Sequence, residues 1–184
     1  VSFTYFGEGA ANQGQVYETF IMASLWNLPV VFVIENNQYA MGTSIVRASS
    51  TEEMFARGLA FNIPGKAVNG MDVLEVAEEA GDAAVHCRSG KGPFILEMKT
   101  YRYRGHSMSD PAKYRARDEV DAMRKQHDPI EQLRDIMVRE GINETALKEI
   151  DKTVKTIVGQ AADFALESPE PDITELYTDV LIEE

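Results

Sequence analysis

Val1–Phe6 (VSFTYF) is rich in β-branched and aromatic residues and stops at Gly7, which predicts a strand. Gly7–Gly14 is a small-residue loop. Val16–Trp26 combines helix formers with apolar Phe20, Ala23 and Leu25, predicting a largely buried helix that Pro29 terminates. Val30–Ile34 (VVFVI) is a continuous apolar run, the pattern of a parallel strand buried on both faces. Strand, glycine loop, helix and strand make a βαβ unit, expected to cross over right-handed. Asn36–Ser50 is polar and irregular, and Met54–Pro64 suits a short helix and a turn. Asp72 with Glu75 three residues on forms a capping-box pattern that opens a second helix. Its buried face is expected at Val73, Ala77, Ala80, Ala84 and Cys87, and Gly90 is its stop. Phe94–Met98 (FILEM) is a third strand. The expected fold class is α/β, part of a three-layer arrangement around a parallel sheet.

After Arg117 the pattern becomes charged and helical. Asp118–Glu140 is one predicted segment and Thr145–Glu167 another. The second carries Leu147, Ile150, Val154, Ile157, Ala161 and Phe164 at spacings of three and four. That stripe is expected to pack on the chain's own domain rather than form a long coiled coil. The division expected is 1–117 for the α/β part and 118–184 for a helical C-terminal segment, with SPEP at 168–171 breaking helix before an acidic end.

The 184 residues carry a net charge of −12, which argues against a general nucleic-acid or anionic-membrane binder but not against a small phosphate ligand held locally. The single cysteine, Cys87, excludes an intrachain disulfide and a cysteine-based zinc site, and reads as a small core residue. No apolar run approaches the ~20 residues of a membrane span. Val1 opens directly on a strand, which suggests the later part of a longer protein.

The chemistry centres on YFGEGAANQG, where Glu8 stands between two glycines at a strand's end. A ribose is one candidate partner: Gly7, Gly9 and Gly14 imitate a dinucleotide-binding turn, with Glu35 as the ribose acid. That fingerprint requires glycine at the position of Asn12, which disfavours it. A metal is the other. Mg²⁺ takes oxygen ligands and shares itself between protein and phosphate. Glu8 after the first strand and Asn36-Asn37 after the second would meet over one crevice at the sheet's carboxyl edge. A helix starting just beyond Ala10 would offer N–H groups to a diphosphate.

Gly7-Glu8-Gly9 followed by Asn36-Asn37 resembles the thiamine-diphosphate motif. GEGAANQGQVYE, ENNQYAMGTS, SGKGP and TYRYRGHSMSDP together resemble the alpha subunits of heterotetrameric pyruvate dehydrogenase components, over nearly the whole chain and roughly the later half of such a subunit. The run Tyr103–Asp110 favours this family over branched-chain and acetoin relatives. The resemblance implies thiamine diphosphate and Mg²⁺ as cofactors, with Glu8, Asn37 and the Tyr39 carbonyl as metal ligands. It places Gly9 and Ala10 against the diphosphate and His106 over the reacting end as the catalytic residue. Ser107 matches a serine that is phosphorylated in some members. His86 and His127 are read as structural. The loop Lys99–Arg117 holds six Lys or Arg against Asp110 alone. It is expected to be ordered by cofactor and to face the acyl-carrying partner.

The implied activity is decarboxylation of pyruvate with transfer of the acetyl group to a lipoyl domain of dihydrolipoyl acetyltransferase. The implied partners are a beta subunit, in a two-alpha, two-beta assembly, with no nucleic acid and no membrane. The implied compartment is a bacterial cytoplasm, ahead of a mitochondrial matrix. This chain alone is expected to be incomplete. Glu8 stands where the family has aspartate, and one extra methylene moves the carboxylate by roughly 1.3 Å. Glutamate folding back to ligate is the favoured reading. A larger ion, weakened cofactor binding, or a non-catalytic paralogue are the alternatives.

Overall fold

The computed structural model describes residues 1–178; the acidic end expected from the sequence lies partly in 179–184, outside the described residues. The chain divides into two compact units, Val1–Asp135 and a second from Ile136 onward. The division therefore falls beyond the change of composition after Arg117.

In the first unit, β1 (Ser2–Gly7), β2 (Val30–Asn36), β6 (Phe94–Lys99) and β5 (Gly65–Asn69) form one sheet in that spatial order. All three pairings are parallel. The α/β class with a parallel sheet is thus as the sequence predicts, with one strand more. β5 (GKAVN) was unreadable because glycine, lysine and asparagine dilute its two apolar residues. It opens a second crossover through α3 (Val73–Arg88) into β6.

Alternate side chains of β2 feed two cores. Phe32 and Ile34 pack with Phe20 and Ala23 of α1 (Gly14–Leu25), while Val31 and Val33 pack with Ala83 and Cys87 of α3. Helices on both faces of the sheet give the three layers. Phe20, 1% exposed, meets Phe32 edge-on at 4.8 Å. Burial of each such side chain contributes roughly 1.5–3 kcal/mol.

Several local expectations change. α1 stops at Asn27, which adopts φ 52°, with the Leu28 N–H donating to Ala23 O at 2.8 Å before Pro29 is reached. Leu25, expected inside, is 74% exposed. On α3 the Asp72 carboxylate caps the Leu74 and Glu75 N–H groups, as expected, but Glu75 accepts from the Asn69 N–H rather than completing the box. The buried face of α3 is Ala83, Ala84 and Cys87, with Val76 and Ala80 partly buried. Val73 and Ala77 are exposed, so the helix is rotated from the predicted stripe.

Asn36–Ser50 is not irregular. Its first part holds the hairpin β3 (Tyr39–Ala40) and β4 (Thr43–Ser44), and α2 (Ile45–Ala48) follows. The predicted Asp118–Glu140 segment is two helices, α4 (Arg117–His127) and α5 (Pro129–Arg139). Pro129 lacks an N–H and starts α5 at its first turn, where Asp128 accepts from the Ile130 and Glu131 N–H groups. In the second unit, α6 (Glu144–Glu167) is capped by Asn143 accepting the Thr145 N–H at 2.8 Å. Leu147 is buried, whereas Ile150, Val154, Ile157 and Phe164 of the predicted stripe are exposed.

Candidate functional site

In the β1–β2 register Gly7 lies beside Glu35, so Glu8 and Asn37 leave the carboxyl edge of adjacent strands together. In parallel sheets that edge is where ligands bind. A cleft of about 370 Å³ opens there, lined by Glu8, Gly9, Ala10, Asn37, Tyr39 and His106, with Arg102 beside them. Every residue singled out as catalytic, cofactor-binding or metal-ligating therefore lines one cleft.

Glu8 is 3% exposed, and its Oε2 accepts the Asn37 N–H at 3.3 Å. No Lys, Arg or His pairs with it among the described residues. The Oδ1 of Asn37 is buried and has no hydrogen-bond partner. Buried polar oxygens are rarely left so, because each forfeits its hydration. A carboxylate and an orphaned amide oxygen in one cleft fit a cation. Tyr39 fits less directly: its carbonyl accepts from Arg102 Nη1 at 3.2 Å, leaving one lone pair free. Glu8 is the only carboxylate among the residues lining the cleft.

Gly9 has a reason in the chain itself. A Cβ there would stand 2.5 Å from the Ala40 Cβ, so the hairpin packs where a side chain would be. The segment after Gly9 is a single 3₁₀ turn, Ala10–Asn12, and α1 begins only at Gly14. This corrects the expected helix start beyond Ala10. Arg57 braces the turn by donating to Ala11 O at 2.7 Å. Asn12, which stands where a dinucleotide turn needs glycine, donates to Ala48 O and Ser49 Oγ instead. Glu35 is exposed and does not line the cleft. The ribose reading loses both its glycine and its acid.

The turn from β2 to the hairpin is pinned at nearly every polar group. Asn36, fully buried, donates from Nδ2 to Glu97 Oε1 at 2.6 Å, and its Oδ1 accepts the Gln38 N–H at 3.0 Å. Glu97, also fully buried, accepts the Phe55 N–H at 3.1 Å on its other oxygen. Arg115 Nη2 donates to Asn37 O at 2.6 Å. Sequence reasoning missed Glu97, although a lone acid inside the apolar run FILEM was its signal.

The loop after β6 is held by its own side chains. Asp110 accepts the His106 N–H and the Tyr114 hydroxyl at 2.7 Å and the Ala112 N–H at 2.9 Å. These bonds, the one from His106 foremost, hold its carboxyl down at about 2. Tyr114 stacks on Tyr39 at 4.8 Å, and the Arg115 guanidinium lies 4.0 Å over Tyr101. Two of the six cations, Arg102 and Arg115, are thus internal struts that bond backbone carbonyls, where a cofactor-ordered basic face was expected. Ser107 is exposed, its hydroxyl 3.0 Å from that of Ser109. His86 packs edge-on to Phe94, in keeping with a structural role. His127 lies in the last turn of α4. No helix among the described residues is long and apolar enough to cross a membrane.

The dehydrogenase E1 component family profile matches residues 1–174. The chain is 61% identical to the pyruvate dehydrogenase E1 component subunit alpha of Rhizobium meliloti, over 99% of this chain and 53% of that protein. It is 55% identical to the subunit of the same name from Zymomonas mobilis, over 98% and 51%. It is 50% identical to the testis-specific mitochondrial form from Rattus norvegicus, over 96% and 45%. The chain spans about half the length of these relatives. A cleft at the carboxyl edge of a parallel sheet, lined by Glu8 and Asn37 from the two motifs, and a match over nearly the whole chain lead to one assignment: the chain belongs to the dehydrogenase E1 component family.

Proposed function

We propose that this chain is the cofactor-holding part of the alpha subunit of a pyruvate dehydrogenase component, an oxidoreductase that decarboxylates pyruvate and passes the acetyl group to a lipoyl domain. The observation that carries the reading is the buried Glu8 carboxylate, bonded to the Asn37 N–H, together with the buried and unpartnered Oδ1 of that same Asn37. Both are oxygens, the donor type Mg²⁺ requires, and Mg²⁺ bridges protein to a diphosphate. Thiamine diphosphate, when bound, supplies the electron sink for loss of CO₂ from a 2-oxo acid.

The chain's own residues then have distinct tasks. Glu8 and Asn37 hold the cation, with the free lone pair of the Tyr39 carbonyl as a third oxygen. Gly9 and Ala10 present backbone to the diphosphate. His106, at the cleft's rim with its backbone fixed by Asp110, donates or orients a proton at the reacting end. A beta subunit and a lipoyl domain complete the catalytic assembly, in a bacterial cytoplasm or a mitochondrial matrix. Phosphate on the exposed Ser107 hydroxyl, in members that carry the modifying kinase, would bring about −1.5 to −2 charges next to His106 and oppose diphosphate binding.

The test is calorimetric titration of thiamine diphosphate with Mg²⁺ into the full-length subunit assembled with its beta partner. Native protein and Glu8→Asp are expected to bind within threefold of each other, and Glu8→Gln at least tenfold more weakly. Weak native binding restored by aspartate would overturn the reading of Glu8 as a working ligand and point to an impaired paralogue.

A further inference from the structure

The buried carboxylate of Glu97 is not in the cleft, yet it is bonded to the segment that carries Asn37. Asn36 accepts the backbone N–H of Gln38 on Oδ1, and that N–H has no alternative role as an acceptor. The amide of Asn36 is therefore held with Nδ2 away from Gln38, and Nδ2 meets Glu97 Oε1 at 2.6 Å. Only an acceptor satisfies it there. The other Glu97 oxygen accepts the Phe55 N–H, so both carboxylate oxygens are committed.

Gln38 adopts φ 73°, in the left-handed region that disfavours a side chain, and the bond to Asn36 Oδ1 holds it there. That twist directs the chain from β2 into the hairpin and sets where Asn37 stands. Thr100 N–H on Asn36 O, Ile45 N–H on Gln38 O and Arg115 on Asn37 O fix the rest of the turn. The side-chain oxygen of Asn37 is left as its one orphan.

We propose that Glu97 is a positioning residue for the cleft: through Asn36 it holds the strained Gln38 turn and thereby keeps Asn37 in the cleft with Glu8. The inference rests on the reading of the Asn37 oxygen as a cation ligand. The role belongs to hydrogen-bond polarity, not to charge. Glu97→Gln keeps one acceptor for two donors, so its NH₂ is set against either the Asn36 NH₂ or the Phe55 N–H, whereas Glu97→Leu leaves both donors without an acceptor. Asn36→Asp alone would set two carboxyl groups together, a pair that a shared proton holds. Combining Asn36→Asp with Glu97→Gln reverses the bond: the amide introduced on β6 donates to the carboxylate introduced on β2, and every partner stays satisfied.

The experiment is Mn²⁺ titration by electron paramagnetic resonance on the full-length subunit assembled with its beta partner, with melting temperatures alongside. Glu97→Leu, which leaves Asn36 Nδ2 without its acceptor, is expected to raise the Mn²⁺ Kd at least tenfold. The double variant is expected to return within threefold of native. Ile95→Val, which removes one buried methyl from the same strand, is expected to lower the melting temperature and leave Kd unchanged. A Kd in Glu97→Leu within threefold of native, or a double variant no tighter than Glu97→Leu, would each overturn the proposal. Glu8→Gln separates the two levels. If it leaves Mn²⁺ binding intact, the cation reading fails and the inference with it; if it abolishes binding while Glu97→Leu does nothing, the positioning role alone fails.

Discussion

The backbone N–H of Asn37 reaches across 3.3 Å to the Glu8 carboxylate and ties the ends of two adjacent parallel strands at the mouth of the cleft. It is one donor for an almost fully buried acid, a thin supply for a group that accepts several hydrogen bonds in water. Most of the site's expected behaviour follows from how the surrounding turns hold that pair.

Gly9 and Ala40 are in contact where a glycine Cβ would be. Gly9→Ala is expected to push the hairpin outward and to destabilise the protein by roughly 1–3 kcal/mol. Ala40→Gly in the same chain should recover most of the loss, since it removes the atom being struck. Thermal unfolding of the two single variants and the double reads this directly. A Gly9→Ala protein as stable as native would mean the close packing is absent.

Asp110 is the hub of the loop that carries His106. Its folded-state pKa, about 2, lies below the ordinary 3.8, so the stabilisation it gives the loop is fully present above about pH 4. It is lost as the pH falls from there through about 2. Amide exchange at His106 and Ala112 should accelerate over that window beyond the intrinsic rate. In Asp110→Asn the same amides should be deprotected already at neutral pH. Unchanged protection in that variant would show that the loop is held by something else.

Arg115 bonds two backbone carbonyls, those of Asn37 and Arg102, while stacked on Tyr101 and 4.8 Å from the Tyr39 ring centre. Lysine offers no planar fork and no comparable stacking surface. Arg115→Lys is expected to cost roughly 1.5–3 kcal/mol, the range for a charged hydrogen bond. It should also weaken metal binding, because the Asn37 carbonyl loses its tether. Denaturant unfolding and the Mn²⁺ titration measure the two effects. Loss of stability with metal affinity unchanged would separate the strut from the site.

What the sequence determined by itself is the local and periodic part. The apolar run Val30–Ile34 had to be a strand covered on both faces, and β2 feeds two cores. Asp72 had to cap a helix, because a short carboxylate there reaches two free N–H groups. Glu8 and Asn37 could be paired in advance because each directly follows a parallel strand, and neighbouring strands end together. Tertiary structure decided what depends on contacts distant in the chain. β5 exists because β6 pairs with it, not because GKAVN favours a strand. The buried face of α3 was set by the sheet beneath it, which selects Ala83 and Cys87 over Ala77. Gly9 is small because Ala40, thirty-one positions away, occupies its side. Asn36 and Glu97 lie 61 residues apart in sequence and 2.6 Å apart in space. The strength of that bond comes from burial, which no single segment can produce, and it was therefore decided only by the assembled fold.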